Sequence, residues 1–351
     1  MSSDGAALLP SRYREGDMTT GLFDTESDLP AVVRGLPPED REQLTFHLPL
    51  EVQALEVAGA PYELIVDRIE QRLPVAFAAS LVDPPLFRWA EKHYRSTGAA
   101  LLSEDADTRH AAFAQVSALG AGLAGGAFHP LIRLGYGALR HDAHEMTRGL
   151  AYLRVRRQVL FDRPPLTARV SEVTIPSPAE LAGTSVFDQL DFVAGEQALL
   201  VGDEAEQTPL SPAELCERAM ALVLREPSSF IAIHTVTGLH ALVEFDSLLT
   251  GRRDLAELPG DPLLKQWWRA LAEAILVAEV IVGSQSADSQ HGEIREYQSA
   301  ETLIRASIES AEVHDLKISV SLGRLVELGV APLRTALNVG SAKLAATKAS
   351  A

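Results

Sequence analysis

Four histidines of this chain lie inside apolar segments with helical spacing: His47 in LTFHLPLEVQAL, His129 in GGAFHPLIRLGYG, His234 in FIAIHTVTGLHAL and His314 in AEVHDLKISVSL. A helix that buries an imidazole must find partners for its nitrogens, either hydrogen bonds or a metal ion. Four such segments therefore predict a helical fold with polar chemistry inside it. Neutral imidazole suits iron, copper and zinc.

Composition narrows the class. The chain has 351 residues, 46% hydrophobic and 6% aromatic, which suits a globular, helix-rich protein with a sizeable core. A net charge of -17 argues against nucleic acid or an anionic membrane as partner. Cys216 is the single cysteine, so an internal disulfide and any thiolate-rich cluster are excluded. Its setting, AELCERAM, reads as helix packing rather than nucleophilic chemistry. The opening MSSDGAALLPSRYREGD has no apolar run behind a basic start and does not read as a secretory signal. The apolar stretch 271–283 is interrupted by Glu273 and Glu279, too short and too charged to span a bilayer. The expectation is a cytoplasmic protein.

Periodicity predicts a mainly α fold: an N-terminal tail over 1–40, one large helical domain over 41–340 and a frayed tail over 341–351. A Pro-, Thr-, Ser- and Asp-rich connection over 161–210 would divide the domain into interlocked halves, 41–160 and 211–340, with a few short strands near 168–176. The first helices pair across Gly59-Ala60-Pro61, and Pro130 suits the first turn of a helix running on through 153. Residues 284–299 read as a polar loop, and 300–329 as one helical run.

Several motifs have competing readings. Gly120, Gly122 and Gly125 satisfy G-x-G-x-x-G, but no strand precedes them, and close helix packing or a tight turn before His129 is the favoured reading of the glycines. His314 and Lys317 share one helix face. Desolvation would favour a neutral lysine amine, which reacts with carbon dioxide to give a carbamate, an anionic oxygen ligand. An exposed lysine beside a surface histidine is the competing reading, and local sequence favours it. His234 and His240 are six residues apart, about 240° around a helix, so only one faces a given centre; His234, after Phe230-Ile231-Ala232-Ile233, is the choice. His141 and His144 have charged neighbours and read as a solvated face, and His93, His110 and His291 as surface residues. Neither G-x-S-x-G nor H-E-x-x-H is present.

The segment around His129 resembles the HPLIHLGYG motif of the questin oxidase-like family, whose members oxidise or cleave anthraquinone-type polyketide rings. The segments around His47, FIAIHTVTGLHAL and VHDLK are similar to further motifs of that family, in the same order over residues 40–325. The resemblance implies non-haem iron held by His47, His129, His234 and His314, with Lys317 as a carboxylated ligand. Dioxygen would be the co-substrate and a small aromatic polyketide the substrate, in secondary metabolism. Other members are described as Baeyer–Villiger-type oxidases, so an NADPH-dependent reaction is a second reading. A metal-free helical protein that sequesters an apolar ligand is a third.

One departure is Arg133, which replaces the family's second histidine and would offer a catalytic cation to a phenolate or quinone oxygen. Tyr136, His240 and Trp267 are expected to contact substrate, with Phe46, Phe128 and Trp268 as further pocket aromatics, although plain core packing is the favoured reading of each aromatic. Oligomeric state is left open.

Overall fold

The computed structural model describes residues 33, 47–78, 85–160, 190, 210–252, 259–285, 297, 299–310 and 312–350. These residues are mainly α-helical, and no strand occurs among them; Leu123 and Gln158 form an isolated bridge. The expected strands near 168–176 and nearly all of the 161–210 connection and the 284–299 loop lie outside the described residues, as do Phe46 and His291. No described helix is long and apolar enough to cross a membrane.

The chain divides into two compact units, Met1–Pro84 and Pro85–Ala351. In the first, α1 (Leu48–Val57) and α2 (Tyr62–Ala78) form a hairpin. Gly59 takes the left-handed conformation (φ 68°) that ends α1, and the Ala60 amide returns to the Leu55 carbonyl at 2.9 Å. Arg68 and Arg72, one turn apart on α2, close on Glu51 of α1 at 3.7 and 3.3 Å.

The second unit is built from α3 (Pro85–Ala100), α4 (Ala106–Val116), α5 (His129–Arg140), α6 (Ala143–Val155), α7 (Pro212–Arg225), α8 (Phe230–Thr250), α9 (Pro262–Gln285), α10 (Ala300–Ile308), α11 (Val313–Glu327) and α12 (Leu333–Ser350). α8 is its axis. Every residue from Ile231 to Asp246 is buried, as expected of a helix apolar on all sides. It packs on α4, α5, α7, α9 and α11, so elements from both sides of the 161–210 connection share one core.

Close approach explains the LGYG motif. A Cβ on Gly135 would lie 2.4 Å from the Ala241 Cα on α8, and one on Gly137 would lie 2.7 Å from the Met146 nitrogen on α6. α5 is thereby held against two helices at backbone distance, with His129 next to α8.

Three boundaries differ from the sequence reading. The run after Pro130 breaks at His141 (φ 52°), where the Asp142 carboxylate caps α6 through the amides of His144 and Glu145 at 2.9 and 3.2 Å. The run from 300 to 329 breaks before Glu312, which caps α11 by accepting the His314 amide at 3.0 Å. The expected frayed end is instead part of α12, where Leu344 and Ala345 are buried and Lys343 reaches Asp315 at 2.8 Å.

Gly135→Ala is expected to lower the unfolding free energy by about 1–3 kcal/mol, because the obstructing atoms are backbone. Gly260→Ala, where a Cβ meets nothing within 4 Å, should change it by less than about 0.5 kcal/mol. Denaturant titration of the two variants checks the contrast.

Candidate metal centre

Three helices of the second unit begin at one place. His129 is the first residue of α5, His314 the second of α11 and His234 the fifth of α8. The ring centroids of His129 and His234 are 4.5 Å apart, and those of His234 and His314 are 5.1 Å apart. Ligand nitrogens of His234 and His314 lie within 4.8 Å of each other. Lys317, fully buried, places Nζ 3.5 Å from His234 Nε2. Four of the five residues read from the sequence as ligands thus meet inside one unit. His47 belongs to the other unit, where it precedes α1 and its carbonyl accepts the Glu51 amide at 2.9 Å.

All three imidazoles are oriented by their Nδ1 atoms. His129 Nδ1 lies 2.7 Å from the Gly126 carbonyl and His234 Nδ1 lies 2.7 Å from the Phe230 carbonyl. His314 Nδ1 lies 2.6 Å from a Glu312 carboxylate oxygen. Carbonyls and carboxylates only accept, so Nδ1 carries the proton in each ring and, in the neutral form, Nε2 is a bare lone pair. This is how proteins set imidazoles as metal ligands. The turn that brings the Gly126 carbonyl to His129 is strained, with Gly126, Ala127 and Phe128 at φ 59°, 50° and 64°.

The Nε2 atoms of His129 and His234 face each other at 3.0 Å. Two bare lone pairs at that distance repel unless a proton or cation lies between them. A proton would make an imidazolium, and burial, followed by the charge of Lys317, holds the pKa of both rings well below the usual histidine value. The same two causes bring His314 down to about 4. Glu312 is held at about 2, chiefly by its hydrogen bond from His314, and so is a carboxylate. Two nitrogens each about 2.1 Å from one ion and at right angles would be about 3.0 Å apart, so the pair fits adjacent positions on a transition metal. Lys317 fits only when its charge is gone. An ammonium beside the imidazoles repels a metal ion, whereas a carbamate attracts one.

The other expected site residues lie elsewhere. Arg133 is buried and its Nε and Nη2 donate to Glu145, both at 3.0 Å. Its charge serves a link between α5 and α6. Trp267 is a core residue between Phe113 and Phe245, with its indole nitrogen on the Ser117 carbonyl at 2.8 Å, and Trp268 donates to Asp246 at 2.7 Å. Tyr136 and His240 meet edge to face at 6.2 Å, further along α5 and α8. Phe128 packs on Gly238. His93, His110, His141 and His144 are exposed.

The G-x-G-x-x-G stretch follows helix α4 and opens as a 3-10 turn, Ser117–Gly122. A Cβ on Gly120 would lie 2.2 Å from the Trp267 indole and one on Gly125 would lie 1.7 Å from the Arg156 carbonyl, so the glycines serve packing.

Sequence reading missed the residues that hold these side chains in place. Glu312 was detectable as an acidic cap two residues before His314. Asp315 is fully buried and accepts from Ser310 at 2.6 Å, Lys343 at 2.8 Å and Thr347 at 2.8 Å, which fastens α12 to the turn carrying His314 and Lys317. No local signal pairs Asp315 with residues so far along the chain.

Compared with models of known families, with curated proteins and with solved structures, the chain matches none.

The low pKa values fix the sign of a pH effect in metal-free protein. Above pH 6.5 the rings are neutral folded and unfolded. As pH falls below 6.5 the unfolded chain takes up protons that the folded site refuses, so stability is lost with acidification. Between pH 6.5 and 5, one such ring accounts for about 2 kcal/mol. His129→Gln should therefore lose about that much less than the parent between pH 7.5 and 5 in denaturant midpoints converted to free energy; equal losses would contradict the assignment.

Proposed function

We propose that the chain is a mononuclear non-haem iron oxygenase that uses dioxygen on an aromatic polyketide of the anthraquinone type. The observation that carries the metal is the 3.0 Å approach of two buried Nε2 atoms whose Nδ1 atoms are committed to carbonyls. The substrate class and the choice of iron rest on the resemblance to the questin oxidase-like family.

In this reading His129, His234 and His314 would hold the ion through Nε2. The Lys317 ammonium would lose one proton, the neutral amine would add carbon dioxide at Nζ, and a second proton would leave with formation of the carbamate, giving an anionic oxygen where a cation had stood. Iron so held would supply redox chemistry toward dioxygen. The carbonyls of Gly126 and Phe230 and the Glu312 carboxylate keep the Nδ1 protons in place, so each ring presents a lone pair to the ion. His129, His234 and Lys317 are buried at the centre. The packed glycines at 120–125 offer no cradle for a dinucleotide, and the NADPH-dependent reading gains no support there.

Anaerobic reconstitution with Fe(II), followed by metal analysis, tests the proposal. About one iron per chain is expected, with affinity lost in His234→Ala and Lys317→Ala and not restored to the latter by bicarbonate. Glu312→Gln should weaken iron binding by roughly 10- to 100-fold, the usual effect of losing a ligand's hydrogen-bond partner. Oxygen uptake with hydroxyanthraquinones should then need no reduced nicotinamide. A chain that takes up no transition metal would instead be a metal-free binding protein.

A further inference from the structure

One helical turn beyond the centre lies a second polar layer. Ser321 follows Lys317 by four residues and so lies on the same face of α11, about 6 Å further along its axis. His240 follows His234 on α8 by six residues, about 9 Å along the axis. His240 Nδ1 is 3.0 Å from Ser321 Oγ, and its Nε2 is 3.3 Å from a Glu244 oxygen. All three side chains are buried.

The protons in this layer can be assigned. Burial alone would raise Glu244, but hydrogen bonds and charge from His240 and Arg324 hold it below the ordinary carboxylate value, so it accepts from His240 Nε2. When His240 donates from Nε2 as a neutral ring, its Nδ1 lone pair accepts from the Ser321 hydroxyl. Hydroxyls in these helices usually turn onto their own backbone, as Ser307 does to Ile304 and Ser341 does to Leu337, both at 2.7 Å. Ser321 commits its proton to an imidazole instead. Arg324 ties Glu244 outward at 2.8 Å and also pairs with Glu327, which is 63% exposed, so the layer runs from the buried centre to the surface. Tyr136 stands edge-on to His240, and burial raises its pKa so that it remains a neutral phenol.

We propose that Ser321, His240 and Glu244 form a proton relay that removes the proton from a phenolic hydroxyl of the substrate at the centre, with Ser321 Oγ as the catalytic atom. The relay rests on the reading of the centre given above. The phenol O–H bond breaks and its electron pair stays on oxygen. Its proton passes to Ser321 Oγ as the original Ser321 proton passes to His240 Nδ1. His240 becomes an imidazolium whose charge faces the Glu244 carboxylate. No electrons are transferred in this step, and its reversal reprotonates the product.

The full chain, loaded anaerobically with Fe(II), is titrated with 1,8-dihydroxyanthraquinone, whose neutral and anionic forms differ in colour. Bound spectrum, iron content and protons released into weakly buffered solution at pH 7 are recorded together. The parent protein should bind the anion yet release few protons, because His240 retains them. His240→Asn and Ser321→Ala should keep iron and probe stoichiometry but either bind the neutral form or release about one further proton per probe. A neutral bound probe in the parent, equal proton release in parent and variants, or failure of the probe to bind overturns the relay. Loss of iron in both variants overturns it too, because these residues would then hold the centre. Absence of iron from the parent is read separately by metal analysis, and it overturns the centre together with the relay.

Discussion

Two imidazoles whose Nδ1 protons are committed to carbonyl oxygens cannot hydrogen-bond to each other through Nε2, yet His129 and His234 bring these atoms to 3.0 Å in a buried site. The rest of the second unit can be understood as the means of holding that unfavourable pair. α5 must come within backbone distance of α8, which Gly135 permits, and the turn before His129 must place the Gly126 carbonyl under Nδ1 at the cost of three left-handed residues. Strain and like-polarity contact at one spot mark a site shaped for something other than stability alone.

The same logic extends to α11. Glu312 caps the helix and orients His314 with one carboxylate, so formation of the helix and placement of the imidazole are a single event. Asp315, between His314 and Lys317, anchors the helix start to α12 through Lys343 and Thr347. A buried carboxylate with three donors offsets its desolvation, and removing one partner would leave charge unmatched near the centre.

The helical class was legible because apolar residues recur at helical spacing over most of the chain. The breaks at His141 and before Glu312 were not, because periodicity continues across them while single capping side chains decide where the helices stop. In the site, His129, His234 and His314 were legible as imidazoles in apolar surroundings. The burial of Lys317 was not, since a lysine on an amphipathic helix is ordinarily exposed and only the packing of α8 and α11 encloses it. The structural partners of Arg133 and Trp267 were not legible for a related reason. Their partners, Glu145 on the next helix and Phe113 with Phe245 across the core, satisfy them fully as structural residues, and no sequence pattern announces such pairings.

The claim that a cation belongs between the imidazoles is tested most directly by X-ray diffraction from iron-loaded crystals on either side of the iron absorption edge. The account predicts an anomalous peak about 2.0–2.2 Å from Nε2 of His129, His234 and His314, with density extending from Lys317 Nζ toward it. An ion bound away from these nitrogens, or a metal-free site in iron-loaded crystals in which the Lys317 ammonium donates to the imidazoles, would contradict it.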